Sequence, residues 1–302
     1  MKELYDFLAE IDALDTDGQR ELDALIAKTS DLKQLPVIAR KIMNVVENPN
    51  STAGDLERLI QADQSLTVKL LKIANSSFYG LLRKVNTLQR AILVVGFKSI
   101  RDIAVSAAIL NMYRSSDPFS LKMWEHAICS GIAARYLALE CENVDTDEAF
   151  VGGLLHDLGQ VLLFRAYPDK IKEIYSSVQK DPTLDELKLE KASFNFCHTH
   201  AGGTLARNWN LSPALEAVMR YHHHLPEILW TDISDDVKML VAITAYSDRI
   251  CRYLGIGFNE PNANLEMVVC PENELLKISK ERVGELIKEV QMSFFTESML
   301  FA

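Results

Sequence analysis

The sequence predicts an all-α protein, because apolar residues recur at helical spacing and alternating strand patterns are absent. After position 65, apolar residues recur at i, i+4, i+7 and i+8, which is the spacing of one helix face. These residues are Leu66, Leu70, Ile73 and Ala74. Strands of an antiparallel sheet would alternate apolar and polar residues between hairpin turns, and the chain has no such runs. The expected fold class is therefore all-α.

The N-terminal third is expected to contain several helices in succession. Thr52, with Asp55 three residues further on, has the spacing of a capping box and predicts a helix start. One face of this helix carries three apolar residues: Leu56, Leu59 and Ile60. A later helix is predicted from a second apolar pattern, formed by Ile100, Ile103, Ala107 and Leu110. Gly80 and Gly96 separate these segments.

A soft boundary is predicted near the Asp117–Pro118 pair, which is a turn signal. Residues 1–116 form an N-terminal helical part without histidine, and residues 117–302 form a helical bundle that carries all seven histidines. Within this second part, residues 255–275 are predicted to form a long loop. A final amphipathic helix is expected from about Lys280, as a C-terminal extension of the bundle.

Composition and charge exclude several classes of function. The net charge is −10, whereas non-specific nucleic-acid binding requires many Lys and Arg side chains, so no nucleic-acid partner is expected. The basic stretch from Arg83 to Arg101 is the local exception, and it fits either contact with an anion or solvated helix faces. No apolar run reaches the roughly 18 residues that would span a bilayer, so no membrane association is expected.

The cysteines and the first residues predict a cytoplasmic protein. The five cysteines are odd in number and have no CxxC spacing, which favours reduced thiols over a disulfide framework. The first residues, MKELYDFLAEIDALD, are acidic and amphipathic, unlike a secretory signal peptide.

The residues that indicate chemistry are histidines and aspartates in separate predicted helices. His156 and Asp157 lie in EAFVGGLLHDLGQVLLF, which we predict to be one deeply buried helix. Burying an ionised carboxylate there is costly unless it is paired or bound to a metal. Taken alone, the His–Asp pair fits an ion pair or a helix cap as well as a metal site. Neutral imidazoles and carboxylates suit Zn, Fe or Mn, and two such ions can activate water against a phosphoryl group.

Two further tracts contain more histidines than one site can use. In HTHAGGTLARNWNL, His198 and His200 are two positions apart and would face opposite sides of a helix, so one of them is not expected to be a ligand. In AVMRYHHHLP, the run from His222 to His224 fits either a metal site or a polar helix end.

Several stretches in order resemble the HDOD family, a group of signalling output domains related to the HD-GYP phosphodiesterases of the HD superfamily. The resemblance spans roughly residues 25 to 250. Its N-terminal motifs are Leu35–Pro36, Asp63 with Leu66, and Asn75–Ser76 with Tyr79–Gly80. It continues through LQRAILVVGFKSIRDIAV, GGLLHDLG, the segment around Trp209 and the paired histidines. The resemblance implies an HD-superfamily helical bundle with an N-terminal helical layer.

The resemblance also implies a ligand set for two divalent transition-metal ions, which would be Fe, Mn or Zn. The implied ligands are His126, His156, Asp157, His198, His222, His223 and Asp248. Asp157 would bridge the two ions and act as the catalytic carboxylate. Counting back from Trp209 places the third-segment ligand on His198, not on His200. Counting forward places the paired ligands on His222 and His223, and leaves His224 as an extra residue.

This chain departs from the HD-GYP pattern at several positions. Gln160 stands where those enzymes carry a lysine after the His–Asp pair, and HLPEILW replaces the GYP tract. Asn195 and Cys197 stand where the family prefers Gly and Asp. These departures weaken the expectation of cyclic-dinucleotide hydrolysis and leave metal binding unaffected.

Two functions follow from the resemblance. The first is an HDOD-type signal-transduction output module, with a binuclear metal site and a separate signalling protein as partner. The alternative is a metal-dependent phosphohydrolase acting on a nucleotide or another phosphoester. The implied ligand set favours the enzyme, whereas the missing lysine and GYP tract favour the module. On balance the sequence favours the signalling module.

Overall fold

In the computed structural model, the regular secondary structure of the described residues is entirely helical, with a short 3-10 helix at Asn111–Tyr113 besides the α-helices. The described residues are 14–29, 36–48, 50–75, 83–97, 100, 104, 111–113, 117–181, 183–229, 231–258 and 260–301. In chain order the helices are α1 (Thr16–Lys28), α2 (Val37–Glu47), α3 (Ala53–Gln61), α4 (Gln64–Ala74), α5 (Leu88–Val95), α6 (Pro118–Leu139), α7 (Thr146–Leu155), α8 (Leu158–Ala166), α9 (Pro168–Lys180), α10 (Glu186–Phe194), α11 (His198–Asn208), α12 (Pro213–Tyr221), α13 (Leu225–Ile228), α14 (Asp235–Leu254), α15 (Pro271–Leu276) and α16 (Lys280–Phe301). No strand occurs in these ranges, which confirms the predicted fold class.

The short helices α2 to α5 pack on one another, with α3 in contact with the other three. The predicted capping box is present at the start of α3, where a carboxylate oxygen of Asp55 accepts a hydrogen bond from the Thr52 amide at 2.8 Å. Leu56 and Ile60 on the predicted apolar face are fully buried. Of the helix predicted around residues 100–110, only residues 100 and 104 fall within the described ranges. Leu35, Ser76, Tyr79 and Gly80 of the family motifs also lie outside them.

Helix α6 lies at the centre of the bundle, in contact with α7, α14 and α16. Every residue from His126 to Arg135 is buried, which accounts for the absence of a polar face along this stretch. Helix α8 packs on α11, α11 packs on α12, and α12 packs on α14. This arrangement brings helices that are distant in sequence around one side of α6.

The segment around His156 and Asp157 is two helices, so the prediction of one continuous buried helix was wrong. Helix α7 ends at Leu155, and Asp157 is the N-cap of α8 with φ −95° and ψ 14°. Successive residues of a helix diverge by about 100°, so an unbroken helix would point the two side chains apart. The break is the reason that both can face one point.

The C-terminal part agrees with most of the prediction. Residues 255–275 are largely non-helical, but α15 begins at Pro271 within the predicted loop. The final helix begins at Lys280, as expected.

Helix α1 packs against α8 and α11, and α4 packs against α16, so the helices before residue 117 contact the bundle. The division at residues 116 and 117 stays a prediction.

Among the described helices, none combines the length and the apolar character that crossing a membrane requires.

Candidate metal centre

The seven predicted site residues come from five places in the chain and meet at one point beside α6. His126 lies within α6, and His156 and Asp157 lie in the break between α7 and α8. His198 is the first residue of α11, because α11 starts directly after Cys197. His222 and His223 follow the last residue of α12, and Asp248 lies in α14. Helix ends and a helix break thus supply most of the site.

The two carboxylate oxygens of Asp157 face different histidines. Oδ2 lies 3.4 Å from His126 Nε2 and 3.3 Å from His156 Nε2. Oδ1 lies 3.4 Å from His198 Nε2 and 3.3 Å from His222 Nε2. Within each pair the two Nε2 atoms are also close, 3.2 Å for the first pair and 3.4 Å for the second. Asp157 therefore joins two compact clusters of potential metal ligands.

Two more residues complete these clusters. Asp248 Oδ1 lies 3.4 Å from His126 Nε2, on the Oδ2 side of Asp157. His223 has a donor atom within 4.8 Å of those of Asp157, His198 and His222. We call the Oδ2 side, with His126, His156 and Asp248, the first donor group. We call the Oδ1 side, with His198, His222 and His223, the second donor group.

Hydrogen bonds at the far side of three rings fix which nitrogen carries the lone pair. His156 Nδ1 lies 2.7 Å from the Gly153 carbonyl, and His222 Nδ1 lies 3.0 Å from the Val218 carbonyl. His198 Nδ1 lies 2.9 Å from a carboxylate oxygen of Glu190. A carbonyl or carboxylate only accepts, so Nδ1 is the donor in each ring. The neutral form of each ring then directs its Nε2 lone pair into the centre, as metal-binding histidines do.

These residues fit metal ions on two observations. The first is that Asp157 Oδ1 is buried and has no hydrogen-bond donor, although two Nε2 atoms lie within 3.4 Å. The second is the spacing of the ligand atoms, which is 3.2–3.4 Å between neighbours. Tetrahedral ligands with metal bonds of about 2.0–2.1 Å stand roughly 3.3 Å apart. Lone pairs at this spacing call for a shared cation.

The electrostatics of the centre favour an ionised Asp157. Burial alone would raise the pKa of this carboxyl, but the neighbouring rings of His156, His126 and His222 outweigh the effect of burial and hold the pKa well below its usual range. Burial lowers the pKa of His222 to about 4, so that ring is neutral near pH 7. For His198 the effect of burial is outweighed, mainly by the Glu190 carboxylate, which raises the pKa to about 9. Glu190 thus makes His198 a more basic ring and a stronger ligand.

The remaining two histidines lie outside both donor groups. His200 Nδ1 accepts a hydrogen bond from the Cys197 amide at 3.2 Å and so caps the first turn of α11. His224 is the N-cap of the short helix α13, and its ring lies 3.9 Å from Glu227. The structure therefore brings His198, and not His200, to Asp157.

Sequence reasoning missed two charged residues beside the centre. Glu190 is fully buried, and it accepts hydrogen bonds from both the backbone and the ring of His198. It lies in ELKLEKASF, where alternating charges resemble an exposed helix and give no sign of burial. Arg252 forms an ion pair with Asp248, with Nε 3.0 Å from Oδ2. Arg252 lies four residues after Asp248, and this i, i+4 spacing on a helix would have predicted the ion pair.

The chain is similar in sequence to a much longer protein. An uncharacterized protein of Treponema pallidum is 28% identical over 240 residues, which are 78% of this chain and 45% of that protein. The chain thus spans less than half the length of this relative.

Solved structures share the fold at low sequence identity. An HDOD domain protein of unknown function from Geobacter sulfurreducens has a TM-score of 0.68 at 20% identity, covering 99% of this chain and 95% of that one. A proposed phosphohydrolase from Shewanella amazonensis has a TM-score of 0.71 at 21% identity, covering 92% and 98%. A proposed signal-transduction protein from Marinobacter aquaeolei has a TM-score of 0.70 at 21% identity, covering 97% and 68%. These likenesses establish the fold.

The profile of the HDOD domain matches residues 32–225, which include the break at His156 and Asp157 and the three consecutive histidines from His222 to His224. Because this match covers well over half of the sequence, the chain belongs to the HDOD domain family.

Proposed function

We propose that this HDOD domain binds two divalent transition-metal ions, one on each side of Asp157, and hydrolyses a phosphoester there. The observation that carries the proposal is that the two carboxylate oxygens of Asp157 face different pairs of histidines. Each oxygen lies 3.3–3.4 Å from two Nε2 atoms. The first donor group would hold one ion and the second donor group the other. Imidazole and carboxylate ligands suit Fe, Mn or Zn.

The chemistry that this donor set supports is attack of water on phosphorus. Paired divalent ions lower the pKa of water and neutralise charge on the phosphoryl oxygens. Asp157 keeps the two donor groups at a fixed spacing, and Asp248 adds a second negative charge to the first group. Glu190 orients His198 through its ring and its backbone amide. Three ligand rings are locked by hydrogen bonds, so the site is preorganised.

A second candidate is the signal-transduction module that the sequence favours, with the ions in a structural or sensory role. The narrow access to the centre supports it, since the side chains of Asp157 and Asp248 are only 13% and 11% exposed. A metal ion that holds these helix ends together could transmit a structural change at the site to a protein partner. With a net charge of −10, that partner would not be a nucleic acid.

Metal content and turnover measured together distinguish these functions. Protein purified without chelator, and protein reloaded with Mn, Fe or Zn, would be examined by elemental analysis. The loaded protein would then be assayed with p-nitrophenyl phosphate, bis(p-nitrophenyl) phosphate and cyclic di-GMP. We expect about two ions per chain and hydrolysis that Asp157→Ala abolishes. Two bound ions without turnover would favour the module, and a chain that stays unloaded would rule out both proposals.

A further inference from the structure

We infer that Arg252 binds the phosphoryl oxygens of the ligand at the metal centre and supplies the fixed cation of the site. The inference rests on the proposed function and identifies the residue that recognises the ligand's phosphate. Arg252 lies one helical turn after Asp248 in α14.

The Arg252 guanidinium lies beside the first donor group. Its Nε lies 3.0 Å from Asp248 Oδ2 and 3.3 Å from Asp248 Oδ1. That Oδ1 atom lies 3.4 Å from His126 Nε2, in the first donor group. Only one carboxylate therefore separates the guanidinium from the proposed ion. Among the described residues, no other lysine or arginine pairs with a predicted metal ligand.

Arg252 also has hydrogen-bond donors that the described residues do not use. A guanidinium has five N–H donors, and the bond to Asp248 uses the one on Nε. In the described part of the chain, neither terminal NH₂ group donates to a protein acceptor, and the side chain is 42% exposed. Two NH₂ groups in a planar fork match two oxygens of a phosphate. The fork is therefore available to a ligand that enters from solvent.

Gln160 stands where the related phosphodiesterases carry lysine, but its side chain is already engaged within the protein. The side chain of Gln160 is buried, and its Oε1 accepts a hydrogen bond from the Tyr175 hydroxyl. Its Nε2 donates to Glu186 Oε1 at 3.3 Å. Both ends of the amide are committed to this internal network. A phosphate would have to break this network to bind Gln160, whereas the terminal NH₂ groups of Arg252 have no such hydrogen bonds to lose within the described chain.

The test measures binding of inorganic phosphate to the metal-loaded full chain by isothermal titration calorimetry. The variants are Arg252→Gln, Arg252→Lys and the control Arg207→Gln, and the metal content of each is determined before titration. Arg207 also pairs with a carboxylate, at 2.7 Å from Glu216, but no predicted metal ligand takes part. We expect Arg252→Gln to weaken phosphate binding about 10- to 100-fold with metal content unchanged. Arg252→Lys should fall between Arg252→Gln and wild type, and Arg207→Gln should match wild type.

The other outcomes separate this inference from the proposed function. Equal phosphate affinity in Arg252→Gln and wild type, at equal metal content, would overturn the role of Arg252 and leave the metal centre standing. Loss of metal from both Arg252 variants would mean that the residue positions Asp248, which also overturns the inference. A wild-type chain that takes up no metal would remove the proposed function, and the inference would fall with it.

Discussion

At the scale of single residues, Asp157 is the one ligand whose loss should affect both donor groups. Its oxygens lie within 3.4 Å of histidines on opposite sides, so Asp157→Ala removes a ligand from each proposed ion. We expect the metal content of the variant to fall from about two ions per chain to near zero. His224→Ala is the matched control, because His224 lies outside both groups and should keep its metal. Equal losses in the two variants, measured by elemental analysis, would place the bridging ligand elsewhere.

Glu190 should control the affinity of the second donor group without being a ligand itself. Its carboxylate accepts from the His198 amide at 2.8 Å and from the His198 ring at 2.9 Å. Glu190→Gln keeps the shape but removes the charge that makes the ring basic. We expect metal affinity at this group to fall about 10- to 100-fold, which competition with a chelator would measure. Glu216→Gln, which breaks a surface ion pair, should leave the affinity unchanged. Unchanged affinity in Glu190→Gln would mean that packing alone holds the ring.

Most residues of the site could be predicted from the sequence, but Glu190 could not. The seven predicted ligands could be named because they keep the order and spacing of a known family, and the structure brings all seven together. Helical geometry predicted that only one of His198 and His200 is a ligand, the spacing to Trp209 in the family pattern selected His198, and the capping role of His200 agrees with this choice. Glu190 could not be predicted, because its burial depends on how α10 packs. Nothing in its local sequence distinguishes it from a solvated glutamate.

At the scale of elements, the site depends on close approach between helices that begin or end at the ligands. The break after Leu155 was not visible in the sequence, because buried leucines continue on both sides of it. The packing of α8 on α11 explains the break. At Gly159, in the first turn of α8, a Cβ atom would lie 2.0 Å from the His198 carbonyl oxygen and 2.8 Å from the Gly202 amide. The absence of a side chain at Gly159 is what lets Asp157 and His198 come together.

Gly159→Ala should therefore disturb both stability and the second donor group. The added methyl meets backbone atoms that cannot turn aside, so we expect a loss of about 1–3 kcal/mol in the free energy of unfolding. Separation of α8 from α11 should also reduce metal content at the second group. Gly284→Ala in α16 is the control, since nothing lies within 4 Å of its Cβ position. Alanine is the better helix former there, by up to about 1 kcal/mol. Denaturant titration should give opposite signs for the two variants, and equal effects would contradict the packing argument.

At the scale of the whole molecule, the donor groups connect helices that are far apart in the chain. Their ligands lie in α6, in the break between α7 and α8, at the start of α11, after α12 and in α14. The all-α class was predictable from periodicity alone, whereas the meeting of these helix ends depends on tertiary packing. Asp157 Oδ1 is buried without a hydrogen-bond donor among the described residues, which is costly in the folded state. Bound ions would compensate this cost in the folded state and have no equivalent site in the unfolded chain.

Metal binding should therefore stabilise the entire bundle. A ligand that binds only the folded state, at about 100 times its dissociation constant, adds roughly 2.7 kcal/mol per site. We expect the melting temperature measured by calorimetry to rise when the apo protein is loaded with Mn, Fe or Zn, and to fall again with chelator. Asp157→Ala should melt at one temperature in the presence and absence of metal, because both donor groups depend on its carboxylate. If the wild type also melts at one temperature after verified loading, the ions would have to bind the unfolded chain equally well. In that case the donor groups would not link the helices, and both the enzyme and the sensory role would lose their structural basis.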